Sequence, residues 1–173
     1  MVVIDEAYAE FSGATMLSMV AGYSNLIVLR TFSKWAGIAG LRMGYGIFPA
    51  YITEHLMKIK QPYNVNIAAQ IAALESLKDI DHLQSIIRSI VNERKRLSIE
   101  LSTMGWLKIY PTEANFILCS VLNGKAREIH QKLKGKGIFI RYFNTPELKD
   151  CIRISIGKPE HTDKLIAALK ELN

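Results

Sequence analysis

Two short, continuous apolar runs near the beginning of the chain constrain its fold more than any other feature. The first is Met1–Ile4, which stops at Asp5, and the second is Leu26–Phe32. Uninterrupted apolar residues are typical of strands covered on both faces, as in a parallel sheet. The segment between the two runs is long enough for the crossover that parallel strands need. The pattern predicts an α/β chain whose first strand is buried on both faces.

The remainder of the chain divides according to the spacing of its apolar residues. A third strand is predicted over 43–48, and helices over 51–60, 66–77 and 80–104. Beyond these, strands are predicted over 107–110, 115–120, 138–141 and 151–156, with helices over 125–134 and 159–172. This order predicts three segments: residues 1–79 with a mostly parallel sheet, a long connecting helix over 80–104, and a small α+β domain over 105–173.

Composition narrows the classes of protein open to the chain. About half of the residues are apolar (49%) and the net charge is +6, which excludes disordered, collagen-like and disulfide-scaffold proteins. The positive charge permits binding of nucleic acid or of phosphorylated metabolites without choosing between them. The basic run Arg94–Arg96 lies in a predicted helix, where a solvated face is favoured over a nucleic-acid patch. Cys119 and Cys151 lie in apolar runs and are expected to be buried, with neither a disulfide nor a metal site.

No targeting signal or membrane span is predicted. Asp5 and Glu6 interrupt the apolar beginning of the chain, which a signal peptide would not tolerate. No apolar stretch approaches the length of a membrane-spanning helix. The expectation is a soluble protein of the reducing cytoplasm that binds small molecules and neither nucleic acid nor membranes.

The segment from Thr31 to Gly46 carries the most chemical information. Lys34 directly follows a predicted buried strand in a context of small residues, and a partly desolvated amine of this kind suits Schiff-base chemistry. Thr31 and Ser33 supply hydroxyls, and the Arg42 guanidinium can hold a phosphate through two parallel hydrogen bonds. Taken alone, its short motifs are better explained by a strand–loop–strand with an exposed lysine and a surface arginine.

Asp5 and Tyr8 favour a ligand site over that structural explanation. Asp5 stands at the carboxyl end of a predicted buried strand, where α/β sheets place their ligand sites. A carboxylate there can pair with a protonated pyridine nitrogen, and the Tyr8 phenol can bond the 3-oxygen of such a ring. Together with a lysine and a phosphate clamp, these are the protein groups that a pyridoxal phosphate site requires. A turn or helix-capping role for Asp5 is the alternative.

These residues resemble the fold-type I, class I/II aminotransferases, which use pyridoxal 5'-phosphate. The resemblance is closest to the histidinol-phosphate aminotransferases and rests on three stretches that occur in the family's order: V-V-I-D-E-A-Y-A-E-F, R-T-F-S-K-W-A-G-I-A-G-L-R-M-G-Y-G and R-I-S-I-G. It extends over essentially all 173 residues. The implied reaction is transamination between histidinol phosphate and 2-oxoglutarate, or its reverse, in histidine biosynthesis.

The resemblance implies a role for each residue of the lysine segment. Lys34 would form the covalent imine with the cofactor and then transfer the proton during the reaction. Asp5 would keep the pyridine nitrogen protonated, and Tyr8 would bond the 3-oxygen. The cofactor phosphate would be bound by three side chains: Thr31, Ser33 and Arg42.

Two arginines near the end of the chain are the substrate residues that the resemblance implies. Arg153, in C-I-R-I-S-I-G, matches the family arginine that binds a substrate carboxylate. Arg141, in G-I-F-I-R-Y-F-N-T-P, matches the arginine that contacts the substrate phosphate in histidinol-phosphate aminotransferases. Phosphothreonine decarboxylases share much of this pattern, and an aromatic aminotransferase would not need Arg141. Both remain alternatives.

The resemblance also implies that the sequence is the C-terminal half of a subunit. Residues 1–79 then correspond to part of the large cofactor-binding domain and residues 105–173 to the small domain. The family's glycine-containing phosphate turn and the aromatic residue that stacks on the pyridine have no counterpart in these 173 residues. A homodimer is expected for the full-length family member. A catalytically inactive remnant is the non-enzymatic alternative.

Overall fold

A computed structural model describes residues 1–172, which form two compact units, Met1–Ile87 and the residues from Arg88 onward. The first unit contains, in order, β1 (Val2–Asp5), α1 (Ala9–Ser12), β2 (Leu26–Thr31), β3 (Gly44–Ile47), α2 (Ala50–Ile59) and α3 (Ile67–Lys78). The helix α4 (Ile80–Ser102) follows, and then β4 (Leu107–Ile109), β5 (Phe116–Val121), α5 (Ala126–Gly135), β6 (Arg141–Tyr142), β7 (Cys151–Ser155) and α6 (Pro159–Lys170). The predicted α/β class is confirmed.

The first unit is built on a three-stranded sheet in the order β1–β2–β3. β1 pairs in parallel with β2, and β3 is antiparallel to β2. On one face, Ile4, Leu26 and Val28 pack with Val20 from a 3₁₀ turn. The carboxyl ends of β1 and β2 therefore meet at the same edge of the sheet.

The expectation that β1 is buried on both faces is wrong for this chain. Val2 and Val3 are 48% and 53% exposed, whereas Val28 at the centre of β2 is fully buried. The physical reason is position in the sheet. β1 has a neighbouring strand on one side only within residues 1–172, so its apolar side chains are not covered as those of a central strand are.

The second unit is a four-stranded antiparallel sheet in the order β4–β5–β7–β6. Alternation along β5 and β7 turns one face of the sheet toward the helices, where Ile117, Cys119, Ile152 and Ile154 are buried. Leu97, Leu101, Leu133, Leu165 and Leu169 of α4, α5 and α6 complete this core. The opposite face carries the odd-numbered residues of β7, including Arg153.

The strand predicted over 138–141 begins later than expected, because Ile138 takes part in the cap at the end of α5. Gly137 adopts a left-handed conformation (φ 74°), and its N–H donates to the Lys134 carbonyl at 3.0 Å. The Ile138 N–H donates to the Leu133 carbonyl at 2.9 Å, which completes a Schellman motif. Ile138 therefore has no free donor for a strand ladder, and β6 begins at Arg141.

The prediction that Arg94–Arg96 forms a solvated helix face is wrong for Arg94. Its side chain is buried, donating to the Ala114 carbonyl at 2.9 Å and to the Glu113 carboxylate at 2.6 Å. Lys95 and Arg96 are exposed, as expected. Arg94 thus fastens α4 to the segment that leads into β5.

Both cysteines are free and buried, as predicted. Burial raises the pKa of the Cys119 thiol to about 12, so this side chain serves as a small apolar group. Residues 1–172 contain no group of three or more metal-ligating side chains placed to hold an ion. No helix in the same range is long and apolar enough to cross a bilayer.

We expect Glu93→Gln to reduce the acid sensitivity of the second unit. Arg96 donates Nε and Nη2 to the buried Glu93 carboxylate at 3.0 and 2.7 Å, and these bonds hold the pKa of Glu93 below its ordinary value of 4.5. A lowered carboxyl pKa contributes stability above the unfolded value, and this contribution is lost as the pH falls through the folded value. The stability difference between wild type and variant should therefore narrow as the pH falls below the ordinary carboxyl value of 4.5 and through the lower folded-state value.

Urea unfolding followed by Trp106 fluorescence in a Trp35→Phe background measures this effect, because these are the two tryptophans of the chain. Glu147→Gln, at an exposed position of the same unit, is the matched control. A constant stability difference across the pH range would contradict the assignment.

Candidate active site

Asp5, Tyr8 and Lys34 lie at the edge where β1 and β2 end. Asp5 is the last residue of β1 and pairs with Leu29 of β2. Its Oδ1 accepts a hydrogen bond from the Ala7 N–H at 2.9 Å, which orients the carboxylate locally. Tyr8 is the residue immediately before α1, and the Lys34 Nζ lies 5.8 Å from the centroid of the Tyr8 ring. The carboxylate, the phenol and the amine predicted from the sequence are thus at one end of the sheet.

Lys34 is exposed between two buried aromatic residues. Phe32 and Trp35 have ring centroids 5.1 Å apart, and Phe32 also contacts Tyr45 of β3 at 5.7 Å. The rings before and after Lys34 are buried, but Lys34 itself is exposed, so the expectation of a partly desolvated amine is wrong within residues 1–172. The Trp35 Nε1 is buried and has no hydrogen-bond partner within residues 1–172.

The hydroxyl of Thr31 organises the loop that carries the lysine. Its Oγ1 accepts from the Ser33 N–H at 3.0 Å and donates to the Met43 carbonyl at 3.3 Å. The Phe32 N–H also donates to the Met43 carbonyl, at 3.2 Å. These bonds close the loop over 31–43 and bring its two ends together.

Arg42 is held in an uncommon backbone conformation. Its φ is 58°, in the left-handed region that non-glycine residues rarely occupy. The Nη1 of its exposed guanidinium donates to the Ala39 carbonyl at 2.9 Å. That bond does not involve Nε or Nη2. Non-glycine residues in this conformation cluster at ligand-binding sites.

In the second unit, Arg141 and Arg153 are direct cross-strand neighbours. They pair in the ladder between β6 and β7, so both side chains project from the face opposite the core. The Arg153 guanidinium lies 5.1 Å from the Phe116 ring and that of Arg141 lies 5.6 Å from the Phe143 ring. The Arg153 Nε is buried and has no hydrogen-bond partner among the described residues.

This arginine pair has the properties of an anion site. Like charges directly opposite one another destabilise a sheet, and an anion between them removes that cost. Guanidinium groups bind carboxylate and phosphate with two parallel hydrogen bonds. A buried N–H without a partner gains most when a ligand supplies the missing acceptor.

Sequence reasoning missed a buried charged network beside Asp5 and Thr31. Arg30 donates Nε and Nη2 to Glu6 at 3.0 and 2.8 Å and lies 3.3 Å from Glu10. The available signals were a second acidic residue at the end of β1 and an arginine inside the apolar run of β2. Their pairing across 24 positions was not visible without the register of the strands.

Residues 1–169 match the family described as aminotransferase class I and II. The chain belongs to this family. The sheet edge that carries Asp5 and Lys34 already indicated an α/β enzyme.

Among named relatives, the chain is 54% identical over 170 residues to the histidinol-phosphate aminotransferase of Dehalococcoides mccartyi, covering 98% of this chain and 48% of that protein. The chain spans about half the length of the curated relatives it matches. The crystal structure of histidinol-phosphate aminotransferase from Clostridium acetobutylicum superimposes with a TM-score of 0.89 at 31% identity, covering 99% of this chain and 54% of that one. The Sinorhizobium meliloti histidinol-phosphate aminotransferase, solved with pyridoxal-5'-phosphate, gives a TM-score of 0.85 at 32% identity, covering 99% and 48% respectively.

Proposed function

We propose that this chain carries the cofactor-linking lysine and the substrate arginines of a pyridoxal-phosphate-dependent histidinol-phosphate aminotransferase. The enzyme would exchange an amino group between glutamate and imidazole-acetol phosphate, a step of histidine biosynthesis. The observation that carries the substrate assignment is the Arg141–Arg153 pair on the open face of the second sheet. The similarity to histidinol-phosphate aminotransferases supports the same assignment.

The residues at the edge of the first sheet fit the chemistry of pyridoxal phosphate. That cofactor presents a basic ring nitrogen, a phenolic oxygen, an aldehyde and a phosphate. Asp5 supplies a carboxylate whose position is set by the Ala7 N–H, and Tyr8 and Lys34 lie close to one another. Ser33 and Arg42 supply hydroxyl and guanidinium donors in one closed loop, and Thr31 could join them if its hydroxyl proton turns from the Met43 carbonyl to the phosphate. When bound, the cofactor supplies an electron sink for the carbon that bears the amino group.

Each residue then has a defined task. Lys34 holds the cofactor and moves the proton at the substrate carbon that carries nitrogen. Asp5 accepts the hydrogen bond of the protonated ring nitrogen, and Tyr8 donates to the ring oxygen. The hydroxyls of Thr31 and Ser33 and the guanidinium of Arg42 bind the cofactor phosphate.

The two arginines divide the two substrates between them. Arg141 binds the phosphate of the imidazole substrate, and Arg153 binds a carboxylate of glutamate. Histidinol phosphate has no carboxylate, so Arg153 matters most for the glutamate half of a ping-pong cycle. In that half glutamate leaves as 2-oxoglutarate, and in the other half imidazole-acetol phosphate leaves as histidinol phosphate.

We also propose that the enzyme is a homodimer of the cytoplasm. An apolar stripe on α3 supports an association surface, because Ile67, Ile71, Leu74 and Leu77 are each at least half exposed and recur at helical spacing. Two free buried cysteines are consistent with a reducing compartment.

The proposal is tested by incubating the purified chain with pyridoxal phosphate, reducing with borohydride and mapping the labelled peptide. We expect a single label on Lys34, and then conversion of glutamate to 2-oxoglutarate that depends on imidazole-acetol phosphate. Labels spread over many surface lysines would contradict the cofactor assignment. Release of carbon dioxide from phosphothreonine would indicate a decarboxylase instead, and turnover of aromatic amino acids without need of a phosphate would indicate an aromatic aminotransferase.

A further inference from the structure

A carboxylate and a guanidinium form the centre of the buried network behind the proposed cofactor edge. The Glu6 Oε1 accepts from the Met16 N–H at 2.6 Å. Its Oε2 accepts from the Thr15 hydroxyl at 2.8 Å and from two nitrogens of Arg30 at 3.0 and 2.8 Å. Both carboxylate oxygens therefore accept hydrogen bonds, from four donors in all, and these bonds restrict the orientation of the Glu6 side chain.

Arg30 uses every nitrogen of its guanidinium. Besides the two bonds to Glu6, Nη2 donates to the Thr15 hydroxyl at 2.8 Å and Nη1 to the Glu10 carboxylate at 3.3 Å. The Arg30 and Glu6 side chains are only 15% and 6% exposed. A lysine would retain the charge but could not reproduce this planar arrangement of donors.

The network holds the two residues that adjoin proposed cofactor ligands. Glu6 directly follows Asp5, and Arg30 directly precedes Thr31. The Glu6 N–H donates to the Leu29 carbonyl at 2.9 Å, which continues the pairing of β1 and β2 beyond the last residue of β1. The next N–H, that of Ala7, is the donor to the Asp5 carboxylate. Any rotation of the chain at Glu6 would therefore displace the group that orients Asp5.

We infer that Glu6 and Arg30 are positioning residues, which act through Asp5 and Thr31 to hold the carboxylate and the lysine loop in place for the cofactor. The inference rests on the proposed function for the identity of the cofactor. A buried ion pair adds little net stability compared with an apolar pair of the same shape. The hydrogen bonds of the Glu6–Arg30 pair are directional and fix orientation, which an apolar pair could not do.

The charge states support this reading. Burial acts to raise the pKa of Glu6, but the bonds from Met16, Thr15 and Arg30 outweigh it and bring the pKa below its ordinary value. Glu6 is therefore ionised at neutral pH, and its charge is matched by Arg30. Burial raises the pKa of Glu10, whose Oε2 lacks a partner within residues 1–172. The Glu6–Arg30 pair is thus the part of the network in which every side-chain nitrogen and oxygen has a hydrogen-bond partner.

Arg30→Lys tests the inference in the cofactor-free chain by amide hydrogen exchange. We expect exchange at the Glu6 and Ala7 amides to accelerate about tenfold, the consequence of losing roughly 1.4 kcal/mol of local hydrogen bonding. Exchange at Val28, at the buried centre of β2, should change by less than about twofold. Equal acceleration at all three amides would mean that the pair only stabilises the unit, and unchanged exchange at Glu6 and Ala7 would also overturn the inference.

Arg96→Lys is the matched control, since Arg96 makes the same two-nitrogen contact with Glu93 in the other unit. It should leave exchange at Glu6 and Ala7 unaltered. Glu6→Gln is the second variant, because it keeps the shape and one acceptor oxygen, and it should accelerate the same two amides to a smaller extent. Acceleration by the control equal to that by Arg30→Lys would overturn the inference.

A second readout uses the cofactor. The initial rate of borohydride-trapped labelling at Lys34 should fall about fivefold to tenfold in Arg30→Lys and stay unchanged in Arg96→Lys. If the wild-type chain is not labelled at Lys34, the proposed function fails, while the exchange experiment still decides whether Arg30 orients the Asp5 turn. If the wild type is labelled and Arg30→Lys is labelled equally fast, the positioning role is wrong and the proposed function stands.

Discussion

Replacing Lys34 by alanine should abolish site-specific labelling of the chain by pyridoxal phosphate and borohydride. The substitution removes the amine that lies 5.8 Å from the centroid of the Tyr8 ring. Turnover of any catalytically competent assembly should fall by about 10²–10⁴-fold, the usual effect of losing a positioned proton-transferring side chain. The loss should be larger than for any other single substitution in the chain.

The variant should fold as the wild type does, because Lys34 is exposed and the buried anchors of its loop are the neighbouring rings of Phe32 and Trp35. Non-covalent binding of the cofactor should persist through Asp5, Tyr8 and Arg42. Trp35 fluorescence in a Trp106→Phe background checks both points, since the indole is one residue from Lys34. Lys58→Ala, at an exposed position of α2, is the control for general loss of lysine reactivity. Labelling that survives Lys34→Ala at an unchanged level would refute the assignment of the cofactor residue.

The placement of Asp5, Tyr8 and Lys34 at one sheet edge could be predicted because it is encoded in local sequence. Strand ends, a lysine in a loop of small residues and an acidic residue after an apolar run are all visible within short windows. The same holds for α3, predicted over 66–77 and found as Ile67–Lys78, where Asn66 caps the helix by accepting from the Ala69 N–H at 2.8 Å.

What could not be predicted depends on partners far apart in the chain. The burial of Arg94 follows from Glu113 and Ala114, about 20 positions away, so its helical spacing alone indicated solvent. β6 was misplaced because the Gly137 cap takes the Ile138 N–H, a choice between two local structures that the apolar run did not reveal. The exposure of β1 also depends on residues far away in the chain. An apolar pattern indicates which side chains of a strand can be buried, but it does not indicate which elements cover them.

The pairing of Arg141 with Arg153 belongs to the same group of non-local facts, and it changes what a substitution there should do. Each arginine was assigned separately from its motif, whereas the ladder places them directly opposite one another. Two cations at such positions repel, so this pair makes the ligand-free ladder less stable than an uncharged pair would. A ligand anion would recover that energy on binding.

Arg141→Gln is therefore expected to weaken binding of histidinol phosphate about tenfold to a hundredfold, the range for losing one charge-assisted hydrogen-bonding partner. Binding of glutamate should change by less than about threefold, because Arg153 remains. The ligand-free chain should be unchanged or more stable by up to about 1 kcal/mol, since the repulsion across the ladder is removed. Calorimetric titration with each ligand measures the two affinities, and urea unfolding followed by Trp106 fluorescence in a Trp35→Phe background measures the stability.

Arg153→Gln should show the reverse preference, with the larger loss for glutamate. Its effect should be accentuated because the Arg153 Nε is buried and lacks a partner in residues 1–172, so a bound carboxylate satisfies a donor that water does not reach. Arg127→Gln, an exposed position on α5 with the same change of charge, separates a specific contact from a general loss of positive potential, and it should alter neither affinity by more than about twofold. Equal losses for both ligands in Arg141→Gln would refute the division of the two arginines between phosphate and carboxylate. A loss of stability in the ligand-free variant would refute the repulsion that makes this pair an anion site.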